Sequence, residues 1–211
     1  METRDMVIQQ VVVQGDLLAK LETMQNMDGS FSIKKMYLHL IPRHPKVPWK
    51  ILTLQGNIHP RVKFILWLVV QNRLATMDRL QMIDIQAPMP CVFCHGGIET
   101  HANLFFECPV TRALWLRLLT WLGHIRNRGD ATHELQWVCS MAKRKSGLGA
   151  ITSCAYAMAV YVMWRERNLL RFQKSSYDED RVSREIAVHI HIRGQNLRKW
   201  CKPLSLLSSH P

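Results

Sequence analysis

The chain has 211 residues, of which 47% are hydrophobic, and a formal net charge of +12. That length holds one domain of ordinary size or a small module with helical flanks, and the apolar fraction is enough for a buried core. The longest uninterrupted apolar run, Cys154–Trp164, is eleven residues, short of the roughly 20 a spanning helix needs.

The positive charge is uneven. Residues 1–60 carry 7 basic and 5 acidic groups, residues 61–130 carry 8 and 5, and residues 131–211 carry 13 and 6. A basic surface favours polyanions through counterion release, and nucleic acid is the commonest of these. The N-terminus lacks a basic segment followed by an apolar core, so no secretion signal is visible. An intracellular protein is expected, in nucleus or cytoplasm, with reduced thiols that bind metal or pack in cores.

Residues 1–30 are weakly patterned. Val7–Val13 is largely apolar and β-branched, Leu17–Leu21 has helical spacing, and Asp28–Phe31 reads as a turn. Ser32 is placed to cap a short helix through Leu40, with Ile33, Met36, Tyr37 and Leu40 on one face. Pro42, Pro45 and Pro48 break that pattern ahead of Trp49. Pro60 then begins a strong helix whose apolar positions, Val62 and Phe64 to Val70, cover most of the circumference. Such a helix is expected to be buried or packed on two sides.

Thr76 is placed to cap a short helix containing Met77, Leu80 and Met82. Pro88 and Pro90 end it. Pro109 suits a first helical turn, and Leu114, Trp115, Leu118, Leu119 and Leu122 predict an amphipathic helix over 110–122, ended by Gly123. A loop through Asp130 precedes a helical segment near Leu135–Met141, and Lys143–Gly147 is a basic break. A long helix is predicted from Gly149 to Phe172, apolar first and basic at its end. Asp180 is placed to cap a last helix with Val182, Ile186, Ile190 and Leu197 on one face. Period-two alternation is scarce, so the predicted class is mainly α. The expected architecture is a helical domain around a small knuckle-like loop, followed by a long C-terminal helical hairpin.

Three cysteines, Cys91, Cys94 and Cys108, fall within eighteen residues, two of them as C-x-x-C. Two thiolates separated by two residues can reach one tetrahedral ion without backbone strain, so the cluster reads as a metal site. Cys139, Cys154 and Cys201 lie in helical patterns and are expected to pack as small hydrophobes. Phe93, Leu104, Phe105 and Phe106 read as core packing around the cluster rather than as base-stacking residues.

Several motifs in order carry a resemblance. Phe31-Ser32-Ile33-Lys34 with Tyr37, Trp49-Lys50-Ile51-Leu52, His59 to Trp67, Arg73 to Leu80, the cysteine knuckle, Trp115 and Met163 to Phe172 follow one another along the chain. Together they resemble the reverse transcriptase zinc-binding domain found near the C-terminus of plant LINE-type (non-LTR) retrotransposon polyproteins. The resemblance implies zinc, on a pattern C-x2-C-x8-H-x4-C. Aligned here, the ligands fall on Cys91, Cys94, position 103 and Cys108, and position 103 is Asn. Three readings stay open: His101, two residues early, is recruited as ligand; three cysteines hold the ion with water; or no metal is bound. His95 directly follows a ligand and would need a sharp reversal. Asn103 is also placed to cap a helix start.

The resemblance divides the chain into a weakly patterned segment 1–30, a zinc-binding domain 31–122 and a basic helical extension 123–211. It implies RNA or DNA contact through Arg61, Lys63, Arg73 and Arg79 beside the knuckle, and Lys143, Arg144, Lys145, Arg165, Arg167 and Arg171 beyond it. Polymerase, endonuclease and RNase H regions cannot fit beside it in 211 residues, so the chain reads as a detached C-terminal fragment. The alternative is a degenerate structural or protein-interaction remnant. No nucleophile elbow or phosphate-binding glycine loop is present. Tyr177-Asp178-Glu179-Asp180 reads as a helix start, not a magnesium site. No catalysis, small-molecule substrate or membrane association is expected.

Overall fold

The computed structural model describes residues 47–211 apart from 87–89, 128, 145, 174 and 209, together with Ser32, Ile33, Lys34 and Tyr37. The chain divides into two compact units, Met1–Lys46 and Val47–Pro211. In the first, Ile33, Lys34 and Tyr37 are helical and exposed, within the helix predicted over 32–40. The remainder of that helix, the readings over 1–30, and Pro42, Pro45, Pro88 and Lys145 lie outside the described residues.

The second unit is helical. In chain order it contains α1 (Lys50–Leu54), α2 (Pro60–Val70), α3 (Met77–Gln81), a π-helical turn (Asn103–Glu107), α4 (Pro109–Trp121), α5 (Ala131–Lys143), α6 (Gly147–Gln173), α7 (Glu179–Gly194) and α8 (Arg198–Ser205). The one β-type pairing among the described residues is an isolated antiparallel bridge between Pro90 and Ile98.

Helix α6 is the axis of the fold. It packs against α2, α4, α5, α7 and α8. Residues Ile151 to Val160 are all buried, because neighbours cover every side of this stretch. Small residues permit that crowding. A Cβ on Gly149 would stand 2.3 Å from the Met141 carbonyl oxygen of α5, so the α5–α6 approach requires glycine there. Although α6 is long and apolar enough to span a bilayer, its most apolar window is 72% buried inside the fold, as in a core helix. Because α6 contacts both α2 and α4, the C-terminal helices and the knuckle region share one core.

The starts of the helices follow from their sequences, with two corrections. Pro60 and Pro109 open α2 and α4, where a missing N–H is harmless. Asp130 caps α5 by accepting from His133 N at 2.9 Å. Helix α7 is capped by Asp178, which accepts from Arg181 N at 3.1 Å, and not by Asp180. Asp180 lies in the first turn and pairs with Arg117 at 2.6 Å. Thr76 precedes α3 in extended conformation but makes no side-chain cap. Helix α2 is not enclosed as its composition suggested. Val62, Leu66 and Val69 face the core, while Phe64 is 57% exposed. Leu197 lies beyond the end of α7, and the chain turns there into α8, which the sequence reading missed. Cys139 and Cys154 pack as expected, whereas Cys201 is exposed.

Candidate metal centre

The knuckle is built from two short backbone devices. Pro90 pairs with Ile98, and Cys91 N donates to Gly97 O at 2.7 Å. His95 N returns to Cys91 O at 2.9 Å, with His95 in the left-handed region at φ 54°. This tight reversal brings Cys94 back toward Cys91. On the other side, the π-helical turn ends with Cys108 N donating to Asn103 O at 2.9 Å. Cys108 is the residue preceding α4, and its carbonyl accepts from Thr111 Oγ1 at 3.1 Å.

The three sulfurs converge. The Sγ atoms of Cys91, Cys94 and Cys108 all lie within 4.8 Å of one another, and Cys91 Sγ and Cys108 Sγ are 3.8 Å apart. Zinc–sulfur bonds of about 2.3 Å in a tetrahedron put neighbouring sulfurs about 3.8 Å apart. The donor set therefore fits zinc in spacing and chemistry. Cys91 and Cys108 are fully buried, and Cys94 is half-buried.

The thiols are also electronically prepared. The hydrogen bond from Cys91 pulls the Cys108 thiol down to about 7, helped by the backbone N–H groups of Thr111 and Val110 at the start of α4. The same bond, together with burial, raises the Cys91 thiol. A thiolate at a helix N-terminus is favoured by the peptide dipoles.

The fourth position is where sequence and structure part. His101 is not in the cluster. Its ring packs on Phe105 with centroids 5.1 Å apart, and it lines a different cavity with Val69, Phe106, Leu135 and Tyr156. In this geometry the His101 side chain lies on the hydrophobic side of the turn, away from the sulfurs. Asn103 does not cap either. Thr100 does so instead, its hydroxyl oxygen accepting from Asn103 N at 3.0 Å. His95 is exposed and outside the cluster.

Burial has a measurable consequence at His101. It holds the imidazole neutral, lowering its pKa from 6.5 to about 4 against the opposing pull of Asp78. The unfolded chain takes up that proton near pH 6.5, the folded chain only near 4. Stability is complete above pH 6.5 and is lost as pH falls toward 4, by about 3 kcal/mol. Replacing His101 by Phe is expected to flatten this part of the urea-unfolding stability profile. Parallel profiles for the two proteins would refute the buried neutral imidazole.

The loop behind the knuckle is anchored by a residue that sequence reading passed over. Glu99 is 0% exposed. Its Oε1 accepts from Arg167 Nε at 2.9 Å and Nη2 at 2.5 Å, and its Oε2 from Arg171 Nη2 at 2.8 Å. Arg171 also donates to Pro90 O at 3.0 Å, and Arg167 reaches Ala75 O at 3.4 Å. These contacts clamp the knuckle to the far end of α6. The available signal was the spacing of Arg167 and Arg171, four residues apart on one helical face, which suits a shared partner.

This clamp corrects the list of phosphate-facing residues. Arg167 is only 2% exposed and is committed to Glu99. Arg171 is partly buried in the same clamp. Arg165 is tied to Glu166 at 2.7 Å and Glu185 at 2.5 Å. The pattern at the end of α6 is structural, because buried carboxylates demand guanidinium partners. Arg61, Arg73, Arg79, Lys143 and Arg144 are exposed, and Lys63 is half-buried. Arg79 spends one N–H on Asn72 O at 2.6 Å.

Residues 31–115 match the family described as zinc-binding in reverse transcriptase, and the converging sulfurs lie inside that span. This match agrees with the resemblance carried by the sequence motifs. Over 174 residues the chain is 25% identical to a protein of Arabidopsis thaliana named as a ribonuclease H protein, covering 79% of this chain. The match spans 28% of that relative's length. No solved structure is significantly similar.

Proposed function

We propose that this protein is a non-catalytic, retrotransposon-derived metal-binding module that works inside the cell and holds RNA or DNA by its phosphates, without strong sequence choice. The observation that carries the metal half is the trio of sulfurs within 4.8 Å of one another, inside the family match. Zinc, when bound, would supply a cross-link between the Cys91–Cys94 reversal and the start of α4, with Cys91, Cys94 and Cys108 holding it.

The nucleic-acid half rests on the net charge of +12 and on the exposed cations Arg61, Arg73, Arg79, Lys143 and Arg144. The ribonuclease H name of the Arabidopsis relative supports a nucleic-acid setting. Each single-strand phosphate contact contributes a slope of about −0.7 in log affinity against log salt. Four contacts would weaken binding roughly 50-fold between about 50 and 200 mM salt. Filter binding of an unstructured RNA to the intact protein tests this. Replacing Lys143 and Arg144 together by Ala should reduce the slope by about 1.4. Affinity indifferent to salt would refute the phosphate reading.

A further inference from the structure

The metal centre has three protein sulfurs and no fourth partner of the usual kinds. Among the described residues, no His, Asp or Glu joins the cluster formed by Cys91, Cys94 and Cys108. His101 is turned into another cavity, and His95 is exposed. The side chain at the family's ligand position belongs to Asn103, which sits against the knuckle reversal. Its Nδ2 would stand 3.4 Å from a Cβ built on Gly97, the residue whose carbonyl accepts from Cys91 N. Its carbonyl oxygen Oδ1 is buried and has no hydrogen-bond partner among the described residues.

A buried carbonyl without a donor is costly and rare, and ordered water is its usual remedy. An amide is also a poor replacement for imidazole as a zinc ligand, and it is shorter than the ring. The two deficits answer each other. A water molecule on the ion would complete the tetrahedron and would donate to Oδ1. Structural zinc sites are closed by four protein ligands, whereas sites with three keep a position for an exchangeable one.

Resting on the metal reading above, we propose that the three-sulfur site keeps its fourth coordination position open to a small monodentate donor, with the Asn103 carbonyl accepting a hydrogen bond from water bound there. The class of ligand it takes is a small neutral nitrogen or oxygen donor.

The experiment substitutes Co(II) into the anaerobically purified full chain and follows its visible ligand-field bands while imidazole is added. Wild type is expected to give a tetrahedral thiolate spectrum that changes saturably with imidazole. Asn103→His should bind Co(II) at least about tenfold more tightly, because a fourth protein ligand closes the site, and should not respond to imidazole. His101→Ala should behave as wild type. A wild-type spectrum indifferent to imidazole would overturn the open position, as would weakened cobalt binding in His101→Ala. If wild type binds neither Co(II) nor Zn(II), the metal reading itself falls and takes this inference with it.

Discussion

Replacing Arg167 by Ala is expected to destabilise the protein by about 3 kcal/mol, the low end of the cost of breaking a buried ion pair. Glu99 would remain fully buried, with Arg171 as its remaining guanidinium partner. The loss would also remove packing, since the Arg167 guanidinium lies 4.9 Å from the Trp164 ring. Replacing both Glu99 and Arg167 by Leu should cost less than Arg167→Ala alone, because the double variant buries one fewer charge of each sign. Urea unfolding of the singles and the double measures the coupling. Arg144→Ala, at an exposed position, should stay within about 0.5 kcal/mol of wild type. If Arg167→Ala instead lost RNA affinity at unchanged stability, the clamp would be a binding surface after all.

On the proposed metal reading, removing the ion by a strong chelator or by Cys108→Ser is expected to loosen the knuckle while leaving the helical core folded. A structural zinc contributes on the order of 10–16 kcal/mol in isolated small peptides. Here part of that role is already filled, because Leu104 and Phe105 are buried in the shared core and Glu99 is clamped to α6. The metal's share should therefore appear locally. The amides of Cys91, His95 and Cys108, which bond to Gly97, Cys91 and Asn103 carbonyls, should exchange with solvent at least about 100-fold faster without metal. The amides of α6 between Ile151 and Val160 should keep their protection. Hydrogen exchange with residue resolution reads both. Global unfolding on chelation would mean that the ion, not the core, holds the domain.

How far the sequence could be read depended on whether a feature was local. The helices opened by Pro60 and Pro109 were legible because proline position and apolar spacing act over a few residues. The cysteine trio was legible for the same reason, since C-x-x-C spacing constrains two of its three members. The α7 cap was displaced by two residues, because three acidic side chains in a row offer equivalent candidates and the Arg117 contact draws off Asp180. Helix α8 was missed because it is short and contains Pro203. The spacing of Arg167 and Arg171 hinted at a shared partner, but not which one or that it is buried. That partner is 68 residues away in sequence, and arginine spacing alone does not separate a shared carboxylate from a shared phosphate. His101 shows the same limit in reverse, for proximity along the chain to Cys108 did not bring its ring to the sulfurs.

The Glu99 clamp also says where this stretch of polypeptide can and cannot be reshuffled. It gathers Ala75, Pro90, Glu99, Arg167 and Arg171 around one carboxylate, so a recombination point anywhere between 99 and 167 that grafts on a foreign tail strands a naked anion beneath the cysteines. In this chain the knuckle loop therefore depends on arginines more than sixty residues further along.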